Sequence, residues 1–172
     1  MKTKKNFGKR VLSLVLTLLI VLGLVPVSVF SAFAEELPEL SATIDTGDSI
    51  TLKDADADGY YDISNADELY AFAAIVNGGN TSINGELTAD IVVNENVFNE
   101  DGTPKYNGDF REWTPIGDSS YGYSGIFDGQ NHSVSGLYIL GLSIDYVGLF
   151  GYVDNATVKN TGVIDSFIMG NG

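Results

Sequence analysis

The chain has 172 residues, 23 acidic and nine basic side chains, a formal charge of −14 and no cysteine. The length suits one domain or one piece of a larger protein. Without thiols there are neither disulfides nor cysteine-ligated zinc, and the acidity excludes a protein that grips nucleic-acid phosphates with a basic face.

The charge is unevenly spread. Lys2, Lys4, Lys5, Lys9 and Arg10 open the chain, and an apolar run over residues 11–25 follows, broken only by Ser13, Thr17 and Gly23. Ala32-Phe33-Ala34 then precedes Glu35-Glu36. A basic start, an apolar stretch and an A-x-A site make residues 1–34 a secretory signal peptide, with cleavage after Ala34. The competing reading is a membrane anchor, because a spanning helix needs about 20 apolar residues. The Ala-Phe-Ala site favours cleavage, and no membrane contact is expected once the signal is gone. Removal leaves 138 residues with a charge of −19, in which Lys53, Lys105, Arg111 and Lys159 are the positive side chains. An exported chain without disulfides needs repetitive packing, a bound ion or a larger parent structure.

Residues 35–53 read as an exposed leader, acidic and proline-containing, with a short strand from Ile50 to Lys53. Residues 54–85 read as an acidic turn and a capping helix. The run from Asp54 to Asp62 contains D-x-D-x-D-G, which resembles the first half of a calcium loop of the EF-hand or dockerin type. In such loops alternate oxygens converge on a hard cation and glycine makes the sharp turn. Asp54, Asp56 and Asp58 fall at positions one, three and five, and Asp62 at nine; calcium is therefore the candidate cofactor. Position twelve is Asn65, where an EF-hand has a bidentate glutamate, and the bland alternative is a solvated acidic turn.

Ser64 is placed as the cap of a helix, Ser64 to Asp67 resembling a capping box. Leu69, Phe72, Ala73 and Val76 follow the i, i+3, i+4, i+7 spacing of one apolar stripe. Asn77-Gly78-Gly79 supplies the stop, since glycine takes the left-handed cap conformation.

Residues 86–172 read as short strands and glycine turns. Leu87, Ala89, Ile91 and Val93 alternate with polar or outward positions as one half-buried strand. Residues 94–109 are polar, with turn signals at Asp101-Gly102 and Asn107-Gly108. The lone Trp113 is either a sugar platform or core, and core is the commoner fate. Gly125-Ile126-Phe127 and Gly148-Leu149-Phe150 are similar triplets 23 residues apart, while Val134 and Val158, and Ile139 and Val163, are 24 apart. A repeat of that length suits one coil of a parallel β-solenoid, each coil burying its face on the next. Residues 87–93 then belong to an earlier coil, about two repeats before Val134.

These residues also carry a resemblance. The stretch GLFGYVDNATVKNTGVIDSFIMGNG resembles the GLUG repeat of bacterial cell-surface proteins, which also occurs beside peptidase modules. YYDISNADELYAFAAIVNGG, ELTADIVVN, WTPIG and GIFDGQNHSVSGLYI resemble the amino-terminal part of the same proteins, so that residues 60–172 are covered. The resemblance implies a mainly-β fold: a right-handed parallel β-helix, capped at its start by one helix, open at its carboxyl end and continued by downstream repeats. It implies a secreted or surface location and no catalytic residues. The ligand class expected is a host or cell-wall glycan or protein.

Because parallel β-helices include polysaccharide lyases and glycoside hydrolases, an enzyme is the alternative. Its candidate carboxylates are Asp128, Asp145, Asp154 and Asp165, with His132 near Asp128 in sequence. His132 in a turn and Asp128 before Gly129 are also ordinary turn chemistry. No G-x-S-x-G, H-E-x-x-H or phosphate-loop motif is present. The expected function is thus a non-catalytic adhesion or scaffold module, with Tyr121, Tyr123, Tyr138, Tyr146 and Tyr152 as candidate contact residues.

Overall fold

The computed structural model describes residues 36–141 and 145–170; the signal peptide read at residues 1–34 lies outside them. The described chain is mainly strand with one helix. Among the described residues no helix is long and apolar enough to cross a membrane.

The expected leader is folded. Leu40, Ala42 and Ile44 alternate with Ser41 and Thr43, and Ile50 and Leu52 answer them across a turn. Strands β1 (Leu40–Thr43) and β2 (Ser49–Leu52) pair antiparallel, Leu40 against Leu52 and Ala42 against Ile50. Gly47, at φ +90°, lets the turn close on Ile44. Ile44 and Leu52 are buried, and the hairpin lies on the helix. Its period-two pattern carries enough apolar surface to dock, which an exposed leader would lack.

After β3 (Tyr61–Ile63) comes the helix, α1 (Ala66–Asn77). Its cap is Asn65 rather than Ser64: the Asn65 side chain accepts from Glu68 N at 3.0 Å, while Glu68 reaches back to Ser64 N at 2.7 Å. The reciprocal box therefore exists one residue later than its sequence signature. At the other end Gly79 N binds Val76 O and Asn80 N binds Ile75 O, with Gly79 at φ +106°. That is a Schellman ending, in which a left-handed glycine satisfies the last carbonyls. The expected stripe of Leu69, Phe72, Ala73 and Val76 is buried, and so are Tyr70, Ala71 and Ile75. The helix has two covered sides because the hairpin packs on one and the strands on the other.

The remaining strands are β4 (Gly85–Leu87), β5 (Ile91–Val92), β6 (Ile126–Asp128), β7 (Ser133–Ser135), β8 (Tyr138–Leu140), β9 (Thr157–Lys159), β10 (Gly162–Ile164) and β11 (Phe167–Met169). They form three small, separate parallel sheets, ordered β3-β4-β6-β9, β5-β7-β10 and β8-β11. The single strand expected over residues 87–93 is two, β4 and β5, bent at Thr88–Asp90 so that Leu87 and Ile91 both face inward.

The register corrects the repeat read from sequence. Val134 pairs with Val163, not Val158; Ile139 pairs with Ile168, not Val163; and Phe127 pairs with Val158. Ile91 lies directly beside Val134, so no coil separates them. The two Gly-apolar-Phe triplets occupy different places. Phe127 is in β6, whereas Phe150 bridges to Ile116 in the Trp-Thr-Pro-Ile-Gly segment. Gly151 N and Ile116 O meet at 3.0 Å there. The triplets resemble each other because both put a glycine at a tight approach and a phenylalanine in the core, where the two rings pack edge to face at 5.2 Å.

Corners are marked by left-handed residues. In the last three strands these are Asn155, Asn160 and Asp165, each five residues from the next. Asparagine and aspartate tolerate this conformation better than other side chains. The polar stretch after β5 is an excursion whose ends are tied by Asn94. Its side chain accepts from Arg111 N at 2.8 Å and donates to Arg111 O at 2.9 Å and to Gly136 O at 2.8 Å.

Candidate functional site

Two groups of carboxylates lie at one side of the β3-β4-β6-β9 sheet. The first is the loop before β3. Asp54 is 1% exposed, and its two oxygens take Asp58 N at 3.1 Å and Gly59 N at 3.0 Å. Asp58 accepts from Tyr60 N at 2.9 Å, and Asp62 accepts from Ala55 N at 2.7 Å. Ala57 and Gly59 are both left-handed, which folds the loop tightly enough to bring the aspartates in. Asp54, Asp56 and Asp58 each place a carboxylate oxygen within 4.8 Å of the others. Burial pushes the Asp58 carboxyl above its ordinary range, and repulsion from Asp56, Asp54 and Asp62 adds to the shift.

Three converging carboxylates can hold a hard cation such as calcium. Asp62 belongs to the loop's closing hydrogen bond rather than to the convergent trio. Asn65, at position twelve, is occupied as the helix cap, so it does not close the loop as an EF-hand glutamate would.

The second group is a column. Asp62, Glu86, Asp128 and Lys159 are in register across the four strands. They alternate with the inward side chains of Ile63, Leu87, Phe127 and Val158, as strand geometry requires. Lys159 Nζ sits 2.8 Å from Asp128, and Asn160 Nδ2 donates to the same carboxylate at 3.0 Å. The Lys159 ammonium is the main reason the Asp128 carboxyl is held down to about 2. Its contribution to stability is therefore complete above the ordinary value of 3.8 and lost as the pH falls through about 2. Glu86 moves the other way. Burial raises it first, and Asp58, Asp62 and Asp56 repel its charged form, while Gln130 donates to it at 2.7 Å. The loop and the column thus share one negative field, with Lys159 at its far end.

The other sequence candidates are placed apart from this face. Asp154 accepts from its neighbour Asn155, and Asp165 forms the left-handed corner between β10 and β11. Asp145 is exposed. His132 is a turn residue: its backbone N–H donates to Gly129 O at 2.6 Å, and its ring lies 3.4 Å from Asp90. Trp113 is core, with its Nε1 donating to Gly148 O at 3.1 Å and its ring edge-on to Tyr70. Tyr123 and Tyr138 are buried too, whereas Tyr121, Tyr146 and Tyr152 are exposed.

Tyr146 and Tyr152 meet edge to face at 5.7 Å. Beside Tyr146 opens a hollow of about 350 Å³ that is also lined by Asn77, Glu112 and Asp118. Neither it nor the hollows near Phe98 and Tyr106 are lined by the carboxylate column.

Sequence reasoning missed Glu86, Lys159 and Arg111. Glu86 and Lys159 become neighbours of Asp128 only through the strand register. Arg111 joins three elements: it binds Asp45 of the hairpin turn through Nε at 2.9 Å, reaches Asp67 of α1 at 2.6 Å, and lies 3.6 Å over the Tyr70 ring. Its scarcity, one of four positive residues beyond residue 34, was the signal available. Comparison with known proteins supplies no relative for this arrangement: no family model, no curated protein and no solved structure matches the chain.

Proposed function

We propose that this chain is an exported module of a bacterial cell-surface protein of the GLUG-repeat kind, built as a right-handed parallel β-helix and serving adhesion or scaffolding rather than catalysis. One observation carries the reading. The chain passes through the three sheets in rotation, β6, β7, β8 and then β9, β10, β11, and each strand pairs with its counterpart in the preceding turn. Such stacking buries each coil's inner face on the next and needs no disulfide. The signal at residues 1–34 sends the module out of the cell, where covalent staples are otherwise common.

A glycan is the ligand class that the surface suits best. Tyr146 offers an aromatic face, and Glu112, Asp118 and Asn77 put polar groups around the hollow beside it. Apolar ring faces with polar groups at their edges are what a pyranose presents. On a glycan array, the chain from Glu35 onward is expected to retain at least one host or cell-wall oligosaccharide. Tyr146→Ala should weaken that binding about tenfold, a loss of roughly 1.4 kcal/mol, with an unchanged melting midpoint. Silence across the array would leave scaffolding as the role.

The runner-up is a polysaccharide lyase or glycoside hydrolase, or an accessory region of a secreted peptidase. The enzyme reading draws on the alignment of Asp62, Glu86 and Asp128 with Lys159, since paired carboxylates are the tools of glycoside cleavage. Polysaccharide turnover that disappears in Asp128→Asn would replace the first reading with this one.

Calcium at Asp54, Asp56 and Asp58 belongs to the proposal as a stabiliser of the amino-terminal end. Millimolar calcium should raise the melting midpoint, because a ligand at 100 times its Kd stabilises by about 2.7 kcal/mol. Asp56→Asn, at an exposed position, should remove most of that rise while leaving the calcium-free midpoint in place. No response to calcium in the unsubstituted chain would reduce the loop to an acidic turn.

A further inference from the structure

The last three strands leave in water the apolar side chains that their predecessors bury. Phe127, Val134 and Ile139 are at most 1% exposed, but their register partners Val158, Val163 and Ile168 are 42, 41 and 36% exposed. Strands β9, β10 and β11 each stand at the end of their sheet.

Their backbone is open as well. Thr157 N binds Gly125 O and Lys159 O accepts from Gly129 N, so both residues point back at the preceding turn. Successive residues of a parallel strand direct their main-chain groups to opposite sides, which aims the N–H and C=O of Val158 outward. Phe167 N and Met169 O point back in the same way, leaving those of Ile168 outward. An unpaired edge with exposed apolar side chains is a template for another strand.

Charge selects the occupant. Beyond residue 34 the chain carries −19, yet residues 155–170 contain one lysine, Lys159, and one acid, Asp165. This end is neutral, so two copies of a strongly acidic molecule can meet here with less repulsion than elsewhere. The opposite end offers no matching edge. Lys53 O takes Asp62 N, and the Tyr61 hydroxyl donates to Pro38 O, so the approach to β3 is filled by the hairpin and its lead-in. Head-to-tail stacking is blocked on that side.

The geometry points to a second copy of this chain, docked end to end about a two-fold axis at Val163. The inner residues Val158, Val163 and Ile168 are evenly spaced, five and five. A two-fold axis at Val163 therefore sets Val158 against Ile168 of the second copy and Val163 against its own counterpart. Val158 and Ile168 both aim their backbone groups at the edge, which is what a hydrogen-bonded pair of an antiparallel ladder requires. The corner bearing Lys159 meets the corner bearing Asp165 of the second copy, so the charges are complementary. The contact is isologous and closed, as in most homodimers. The inference stands on the strand registers and the charge map, independently of the adhesive role proposed above.

Light scattering on the chain from Glu35 onward should give twice the monomer mass, falling to one monomer in Val163→Asp, where two carboxylates would face each other. Because that substitution could also disturb packing on Val134, Val163→Cys provides a second reading. Facing Cα atoms on a two-fold antiparallel axis are about 5 Å apart, within disulfide reach. In a chain without other thiols, mild oxidation should convert most of Val163→Cys to a covalent dimer and leave Thr46→Cys, at the hairpin turn, largely monomeric. A monomer mass throughout the concentration range, or equal cross-linking of the two cysteine variants, overturns the dimer and assigns the edge to a parallel coil from another segment. A mass of three or more copies overturns it too.

Discussion

Replacing Gly136 with alanine is expected to cost more than about 4 kcal/mol, enough to abolish folding of a domain of ordinary stability. Gly136 makes the corner between β7 and β8 at φ +70°, where a Cβ alone costs about 1–2 kcal/mol. A Cβ built there would lie 1.8 Å from the carbonyl oxygen of Asn94. That oxygen is backbone, and Asn94 is fixed by its three side-chain hydrogen bonds to Arg111 and Gly136. The neighbour cannot retreat without releasing the excursion that begins at residue 94. Gly162 is the matched control, having open space around its Cβ position and no left-handed strain. Gly162→Ala should shift the unfolding midpoint little. Denaturant unfolding of the two variants side by side checks both, and a mild Gly136→Ala would mean that the corner is looser than its contacts indicate.

Trp113→Ala is expected to cost about 4 kcal/mol, within the usual range for deleting a large buried aromatic. Trp113 is 2% exposed and sits where the Trp-Thr-Pro-Ile-Gly segment, the Gly148–Leu149 backbone and α1 meet. The loss has three parts: the transfer of the indole, the cavity beneath Tyr70, and the Gly148 carbonyl left without its indole N–H. Trp113→Phe keeps much of the volume and should recover over half of the loss. Calorimetric melting of the two variants separates these contributions. If alanine and phenylalanine cost the same, the hydrogen bond rather than packing would dominate. In neither case should glycan binding fall while the fold persists, because the ring is not a surface platform.

The features legible in the sequence were those with a local cause. The helix was visible because its apolar spacing and Gly78-Gly79 stop act within a few turns of chain, and the structure moves only the cap, from Ser64 to Asn65. Asp54, Asp56 and Asp58 could be grouped in advance because a short loop brings them together whatever surrounds it. Trp113 and His132 also landed in the plain roles that their residue types favour. The hairpin was misjudged for a different reason. Its acidic and proline-rich lead-in resembles a linker, and only the docking of Ile44 and Leu52 against α1 makes its alternation count.

Register was the larger failure. Matching triplets in sequence assumes that equal spelling means equal position in the coil. The connection between β8 and β9 differs in length from the excursion between β5 and β6, so the two phenylalanines entered the core at different levels. Interior shape decided which residues stack, and Phe127 took Val158 as its partner while Phe150 took Ile116. The Asp128–Lys159 pair depends on that register and was invisible without it.

Composition and charge divide along the same line. Sequence by itself determined the basic start, the −19 charge beyond residue 34, the absence of disulfides and the one helix, because each depends on residue type or near neighbours. Tertiary structure decided where the charge matters. It gathered carboxylates along one sheet, neutralised Asp128 with one of the four cations beyond residue 34, and left the final turn almost uncharged with its apolar column in water. Long-range pairing sets both the field and the exposed edge, and the energy of that pairing belongs to contacts between residues far apart in the chain.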